Sequence, residues 1–212
     1  MEHGGKIELN ETLCAMEMER LPQAHKDASA KIVVPHDLDI PPPRAIPEFL
    51  PIKRKLDAAR LITNFLQGVS ARAQDPGRYW WSVSDAVKLN PMNESRSNAK
   101  VIIDAATSDL CKATRSPKKK AGLLRLPVGQ GQLPVPYPKP DLAWMLCLHA
   151  PDKGGSVYFP HAGVILRIHA GDGLMFPRAG GVGISPIIEG YCFMMMSHEP
   201  PTPRLILPSL HQ

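Results

Sequence analysis

The sequence has no run of about 18 apolar residues, the length that a helix needs to cross a membrane. The four cysteines form no Cys-x-x-Cys pair and no Cys/His set at zinc-binding spacing; they are Cys14, Cys111, Cys147 and Cys192. The N-terminal segment carries acidic residues and no apolar stretch, which is not typical of a secretory signal or a transit peptide. These absences predict a soluble, intracellular protein and leave its compartment open.

Several common catalytic motifs are also missing. No Gly-x-Ser-x-Gly elbow favours a serine hydrolase. The two glycines in "LPVGQGQLP" match neither a phosphate-binding loop nor a dinucleotide fingerprint. The formal net charge of +5 over 212 residues is too small to indicate a nucleic-acid partner by itself.

Proline is abundant instead, with 23 residues, and hydrophobic residues make up 43% of the chain. The hydrophobic content supports a real core, whereas the prolines make long helices unfavourable over most of the chain. We divide the sequence into a polar, proline-rich arm at 1–52 and one folded domain at 53–212. A supporting helix is predicted at 53–67, ending before Gly68, while "NAKVIIDAATSDLCKAT" fits either a strand or a helix.

From residue 142 onward, short apolar runs recur about every ten residues and are bounded by Gly, Pro or Asp. This pattern predicts a mainly β domain with antiparallel strands in a sandwich or barrel. Several runs lack strict alternation of apolar and polar residues, so we expect some strands to be covered on both faces. The predicted helix would cover one outer face of this sandwich.

The stretch "DKGGSVYFPHAGVILRIHAGDGLMFP" at 152–177 contains Gly-Gly, Phe-Pro-x-x-Gly and a Gly-Asp-Gly turn between short strands. With the runs that flank it, it resembles the C-terminal half of the double-stranded β-helix, or jelly roll, of Fe(II)/2-oxoglutarate oxygenases of the prolyl-4-hydroxylase type. The resemblance covers roughly a quarter of the chain. It implies an iron held by two His and one carboxylate, and a basic residue that binds the far carboxylate of 2-oxoglutarate.

The positions that match those functional residues carry other side chains. The second His position falls on Val182, and the position of the basic residue falls on Cys192. Before the strand "LAWMLCL", where the resemblance implies His-x-Asp/Glu, the sequence "PVPYPKPDLAW" has Lys139 and Asp141 but no histidine. The His25-Lys26-Asp27 triplet has the right spacing but lies in the N-terminal arm.

Two alternatives remain open. An active hydroxylase with Fe(II) and 2-oxoglutarate would need a displaced ligand set; the candidates are His149, His161, His169 and Asp141. A module associated with RNA or phosphate would use the basic loop at 112–125, with Lys118, Lys119 and Lys120, and the aromatic residues Tyr79, Trp80 and Trp81.

The leading hypothesis is a non-catalytic member of this fold that binds no cofactor and serves as a subunit of a larger protein assembly. The proline-rich segments at 35–51 and 127–140 favour it, because stiff, extended chain loses little entropy when it lies across a partner. The apolar tail at 198–212 is expected to contact a neighbouring protein.

Overall fold

A computed structural model describes residues 11–34, 39–50, 56–72, 79–88, 94–116, 120–135, 141–200 and 204–205. The helices are α1 (Glu11–Glu19), α2 (Gln23–Ala30), α3 (Leu56–Arg72), α4 (Val83–Lys88) and α5 (Glu94–Thr114). The first strands are β1 (Arg44–Ile46), β2 (Trp80–Ser82), β3 (Gly122–Leu126), β4 (Gln130–Gly131), β5 (Leu142–His149) and β6 (Lys153–Gly154). They are followed by β7 (Val157–Phe159), β8 (Val164–Leu166), β9 (Gly173–Pro177), β10 (Gly183–Ile184), β11 (Ile187–Glu189), β12 (Cys192–Met196) and β13 (Arg204–Leu205). No helix among these residues is both long enough and apolar enough to cross a membrane.

Two antiparallel sheets form the sandwich. The major sheet has six strands in the order β1-β9-β5-β12-β3-β2, and the minor sheet has three in the order β10-β7-β8. The shorter pairs β11-β6 and β13-β4 accompany them. Neighbouring strands within each sheet are mostly distant in sequence, as in a double-stranded β-helix. The prediction of a mainly β, jelly-roll fold with supporting helices is confirmed.

The apolar cluster between the two sheets fills the sandwich. Along β5, Ala143, Met145 and Cys147 face this cluster. The alternate residues Trp144, Leu146 and Leu148 face a second cluster, which packs against the helices. Because both faces of the strand are buried, the sequence of β5 is continuously apolar rather than alternating.

Helices α3 and α5 cover the outer face of the major sheet. Ile62, Phe65 and Leu66 of α3 are buried there, as their spacing predicts. The helix does not end at Gly68, however, but continues to Arg72. Val69 lies three residues after Leu66 and is 0% exposed, so packing of this next turn outweighs the low helix propensity of glycine.

The ambiguous segment at 98–114 lies within α5. Its residues Ile103, Ala106 and Leu110 are buried at a helical spacing, against the same cluster as α3. The short apolar run "VII" in this segment also suits a strand. A helix is distinguished from a strand here only by the spacing of the buried residues over the whole segment.

The backbone conformation explains two glycines of the 152–177 motif. Gly154 and Gly155 both have positive φ, +79° and +69°, which glycine adopts without strain. A Cβ at Gly154 would overlap the carbonyl oxygen of Pro186. This close approach allows β6 to pair with β11, where Gly154 lies opposite Ile187.

The N-terminal arm packs on the sandwich. β1 pairs with β9 at the edge of the major sheet, with Ala45 opposite Leu174. Helix α1 contacts β8 of the minor sheet. In α2, the His25 Nδ1 lies 2.6 Å from the Tyr158 hydroxyl of β7. The division at residue 52 stays a prediction, but part of the arm is built into the sandwich.

Part of the C-terminal tail pairs within the chain. β13 is antiparallel to β4, with Arg204 opposite Gly131. Arg204 and Leu205 of the tail therefore pair with another segment of this chain, and the contact of the tail with a neighbouring protein stays a prediction. Residues 206–212 lie outside the described residues.

We expect His25 to make the fold less stable in acid. The residue is fully buried, and burial lowers its pKa from 6.5 to about 4. Below pH 6.5 the unfolded chain gains a proton that folded His25 does not accept until about pH 4. The free energy of unfolding should thus fall by up to about 3 kcal/mol as the pH drops through this window.

Urea denaturation at pH 7.5 and at pH 4.5 measures this effect. In His25→Gln the part of the acid-induced loss that comes from this residue should disappear. Lys26→Gln, which changes an exposed residue of the same helix, should keep the full loss. An identical loss in the wild type and in His25→Gln would show that His25 does not contribute.

Candidate functional site

Val182 and Cys192, the two positions that the resemblance aligns with a His and a basic residue, both belong to the apolar cluster between the sheets. Val182 is 9% exposed and Cys192 is 1% exposed. A hydrogen bond with Cys147 raises the pKa of the Cys192 thiol, and burial raises it further. Cys192 is therefore a neutral thiol in an apolar environment and offers no charge to a carboxylate.

The side chain of Gln132 is a polar group beside Val182 that no sequence motif indicates. Gln132 is 2% exposed and forms an isolated bridge with Ile184, in which each backbone N–H donates to the other's carbonyl, at 2.9 and 2.8 Å. Its Nε2 donates to the Leu133 carbonyl at 3.3 Å, and its buried Oε1 has no hydrogen-bond partner among the described residues. Pro134 follows two positions later, at the start of the segment "PVPYPKPDLAW" in which the resemblance implies His-x-Asp/Glu.

A small cavity separates Gln132 from Val182. Its volume is about 10 Å³, and it is lined by Gln132, Val135, Met145, Val182, Ile184, Met196, His198 and Pro200. A space of this size holds about one water molecule. Of the lining residues, only His198 has a side chain that commonly binds iron. The described residues here do not fit an iron ion together with a dicarboxylate.

The alternative ligand candidates are not gathered into one metal site among the described residues. His149 is the last residue of β5, and Asp141 is the residue before its first. About 26 Å of extended strand therefore separates the two. The exposed His161 lies in the turn between β7 and β8. His169 follows β8 in the chain and pairs with Asp172 at 3.3 Å. Within the described part of the chain, no three His, Cys, Asp or Glu side chains are arranged to hold a metal ion.

His149 and His25 are held by aromatic neighbours. The His149 ring stacks on Tyr191 with a centroid distance of 4.2 Å. His25 packs against Tyr158, which points away from the interior on β7 because its neighbours Val157 and Phe159 face inward. The His25-Lys26-Asp27 triplet is therefore separated from Val182 by the minor sheet.

The other predicted contact residues are only partly accessible. Trp81 is 1% exposed in the cluster under the helices, whereas Tyr79 and Trp80 are half-buried and pack against the interior cluster. The aromatic segment therefore anchors β2, which pairs with β3, to the core. Lys120 is exposed, and Lys118 and Lys119 lie outside the described residues.

An open apolar groove lies between α1 and the strands beneath it, with a volume of about 750 Å³. Three large apolar residues on its lining are unusually exposed: Leu13 at 57%, Val128 at 55% and Ile188 at 67%. Charged residues of both signs also line it; they are Glu17, Arg20, Asp152, Lys153 and Arg167. A set of exposed apolar side chains beside charges of both signs is typical of a protein–protein contact surface.

No protein-family model matches the sequence, and no curated protein matches it. Among solved structures, the chain is similar to a viral collagen prolyl hydroxylase from Paramecium Bursaria Chlorella virus-1 in complex with 2OG. The identity is 13%, the match covers 73% of this chain and 93% of that one, and the TM-score is 0.47.

A prolyl-4-hydroxylase from Pseudomonas putida has 14% identity, with 73% of this chain and 89% of that chain covered and a TM-score of 0.49. NgTET1 in complex with 5mC DNA has 8% identity, 92% coverage of both chains and a TM-score of 0.43. All of these TM-scores lie below 0.5, and the fold of this chain is established instead by the strand order and register described above.

Placing the family's basic residue at position 192 should unfold the sandwich. In Cys192→Arg a guanidinium would enter a filled apolar interior, at a cost of more than about 4 kcal/mol of unfolding free energy. Cys192→Ala removes only the thiol and should cost about 1 kcal/mol. Thermal or urea denaturation compares the two, and similar stabilities would reveal space for a charged group beside Cys147.

Proposed function

We propose that this chain is a non-catalytic protein with an oxygenase-like double-stranded β-helix, and that it acts by contact as a subunit of a larger protein assembly. The positions that match the family's second His and its basic residue carry Val182 and Cys192, and the segment in which the resemblance implies His-x-Asp/Glu, 134–144, is rich in proline and holds no histidine. Valine and proline side chains have no donor atom for a metal, and a neutral thiol does not bind a carboxylate strongly.

The observation that carries this proposal is the closed interior at Val182. The apolar side chains of both sheets meet there, and the cavity between Gln132 and Val182 measures about 10 Å³. A catalytic site of this type needs open coordination positions as well as room for a dicarboxylate and for a substrate. Restoring a single ligand would not create that room, because the space is taken by packed side chains such as Met145 and Met196.

The groove between α1 and the strands supports a role in binding another protein. Leu13, Val128 and Ile188 come from three separate segments, so the fold itself brings them to one surface. We propose that apolar side chains of a partner protein fill this groove, with the surrounding charges contributing to specificity. The sequence predicts that the tail and the proline-rich segments contact a partner. The groove is a more specific candidate for the contact surface.

Titration calorimetry with Mn²⁺, used as a stable substitute for Fe(II), and 2-oxoglutarate tests the loss of the catalytic site. We expect no saturable binding of the ion with 2-oxoglutarate, and no 2-oxoglutarate decarboxylation after Fe(II) is added. A known prolyl hydroxylase measured in parallel controls for the reagents. Stoichiometric binding with turnover would establish the displaced-ligand alternative and overturn the proposal.

The groove is tested by the double variant Leu13→Gln/Ile188→Gln. Both residues are exposed, so the unfolding free energy should change by less than about 1 kcal/mol. In native extracts of its source cells the wild-type chain should migrate in a complex larger than its own 23.2 kDa, and the variant should leave that complex.

The matched control is Val33→Gln/Val101→Gln, which changes two exposed apolar residues outside the groove. This control should remain in the complex. If the groove variant also remained, or if the larger species proved to contain only copies of this chain, the groove would not be the contact with another protein.

A further inference from the structure

A second cavity opens beside one end of the sandwich, outside the apolar interior. Its volume is about 600 Å³, within the range of small-molecule sites. Three cationic residues line it: Arg115 after α5, Lys120 before β3, and Arg178 after β9. Arg115 and Lys120 belong to the basic loop predicted at 112–125, whereas Arg178 comes from another part of the chain, so the sequence does not show that the three converge.

The backbone around the cavity is held by hydrogen bonds. The Ser116 Oγ donates to the Leu142 carbonyl at 3.2 Å, which joins the end of α5 to the start of β5. The Arg178 N–H donates to the Asp141 carbonyl at 2.9 Å, which joins the turn after β9 to the same strand. The attachment points of Arg115 and Arg178 are therefore fixed relative to each other before any ligand arrives, which lowers the entropic cost of binding.

Arg115 has a backbone conformation that favours glycine. Its φ is +54°, in the left-handed region, directly after the last residue of α5. The Ser116 N–H donates to the Cys111 carbonyl at 3.0 Å, a hydrogen bond typical of the end of a helix. In this motif the position that Arg115 occupies is usually glycine. An arginine there is less favourable for folding than a glycine would be. The side chain at this position is therefore better explained by a role in binding than by a role in folding.

The charge balance of the lining is positive. His198 also lines the cavity, and burial lowers its pKa to about 4, with smaller contributions from the positive charges of Arg178 and Lys120. It is thus neutral near pH 7. Asp141 is the one carboxylate among the described lining residues, and with three cations the lining carries a net charge of +2.

We propose that this cavity binds a phosphate monoester of a small molecule. A phosphate dianion balances a charge of +2, and its oxygens accept hydrogen bonds from the two guanidinium groups in a geometry that arginine suits. Thr114, Ser116 and Ser197 also line the cavity, and hydrogen bonds within the chain hold their hydroxyls in place. A single carboxylate would leave one positive charge unbalanced. This site is independent of whether the sandwich interior is catalytic.

Titration calorimetry with AMP and inorganic phosphate, at constant ionic strength, tests the proposal. We expect saturable binding of both, tighter for AMP, and binding of succinate at least about tenfold weaker because its two charges are far apart. Arg115→Gly should weaken AMP binding by at least about tenfold, the equivalent of one charge-assisted hydrogen bond. The same variant should melt no lower than the wild type, since glycine suits the left-handed position.

Lys112→Gln is the matched control, because Lys112 is an exposed cation near the end of the same helix and does not line the cavity. It should leave AMP binding unchanged. No binding of either phosphate would overturn the proposal, as would equal losses in Arg115→Gly and Lys112→Gln, which would indicate diffuse surface charge. Equal binding of succinate would identify a carboxylate site instead. An eight-nucleotide RNA that binds far more tightly than AMP would replace the small-molecule ligand with nucleic acid.

Discussion

The packing of apolar side chains between the two sheets is the constraint on which the rest of this structure depends. A double-stranded β-helix that carries an active site keeps part of its interior open and polar. Here Val182, Cys192 and Met194 occupy that interior together with the residues of β5 and β9. Close packing of this kind stabilises the fold, since each buried aliphatic side chain contributes about 1.5–3 kcal/mol. Under the proposed function, the same packing leaves no space for iron chemistry.

The outer faces of the sandwich are used differently. The major sheet is covered by α3 and α5 through a second apolar cluster, so that its strands are buried on both sides. The minor sheet is covered by the N-terminal arm, where the contact between His25 and Tyr158 fixes α2. The cover over the minor sheet is incomplete beside α1, and the apolar groove lies there. Thus the surfaces left for recognition are at the edges of the sandwich rather than in its interior.

The sequence predicted the β-rich half well for a physical reason. Turns with glycine, proline or aspartate interrupt each apolar run, and the run "LAWMLCLH" corresponds residue for residue to β5. The end of α3 was predicted incorrectly because Gly68 is a weak stop signal, whereas the burial of Val69 depends on tertiary packing. Likewise, the pairing of Arg204 with Gly131 joins residues more than seventy positions apart, which no local pattern reveals.

The candidate sites were harder to predict. Val182 and Cys192 could be identified from the sequence because the glycine and proline positions align it with the oxygenase motif. Gln132 could not, because its bridge to Ile184 is a long-range contact. The basic loop predicted at 112–125 contributes Arg115 and Lys120 to a cavity, but Arg178 comes from another part of the chain. The charges of a loop are visible in the sequence, whereas their convergence on one cavity requires the fold.

The central claim is that the interior beside Val182 is closed to metal and cosubstrate. NMR spectra of the ¹³C-labelled methionine methyl groups test it most directly, because Met145, Met194 and Met196 are buried in this interior. With Mn²⁺ and 2-oxoglutarate added, the account predicts that the signals of these three methyl groups keep their positions and widths. Selective broadening of these signals by the paramagnetic ion would place a metal inside the sandwich and contradict the account.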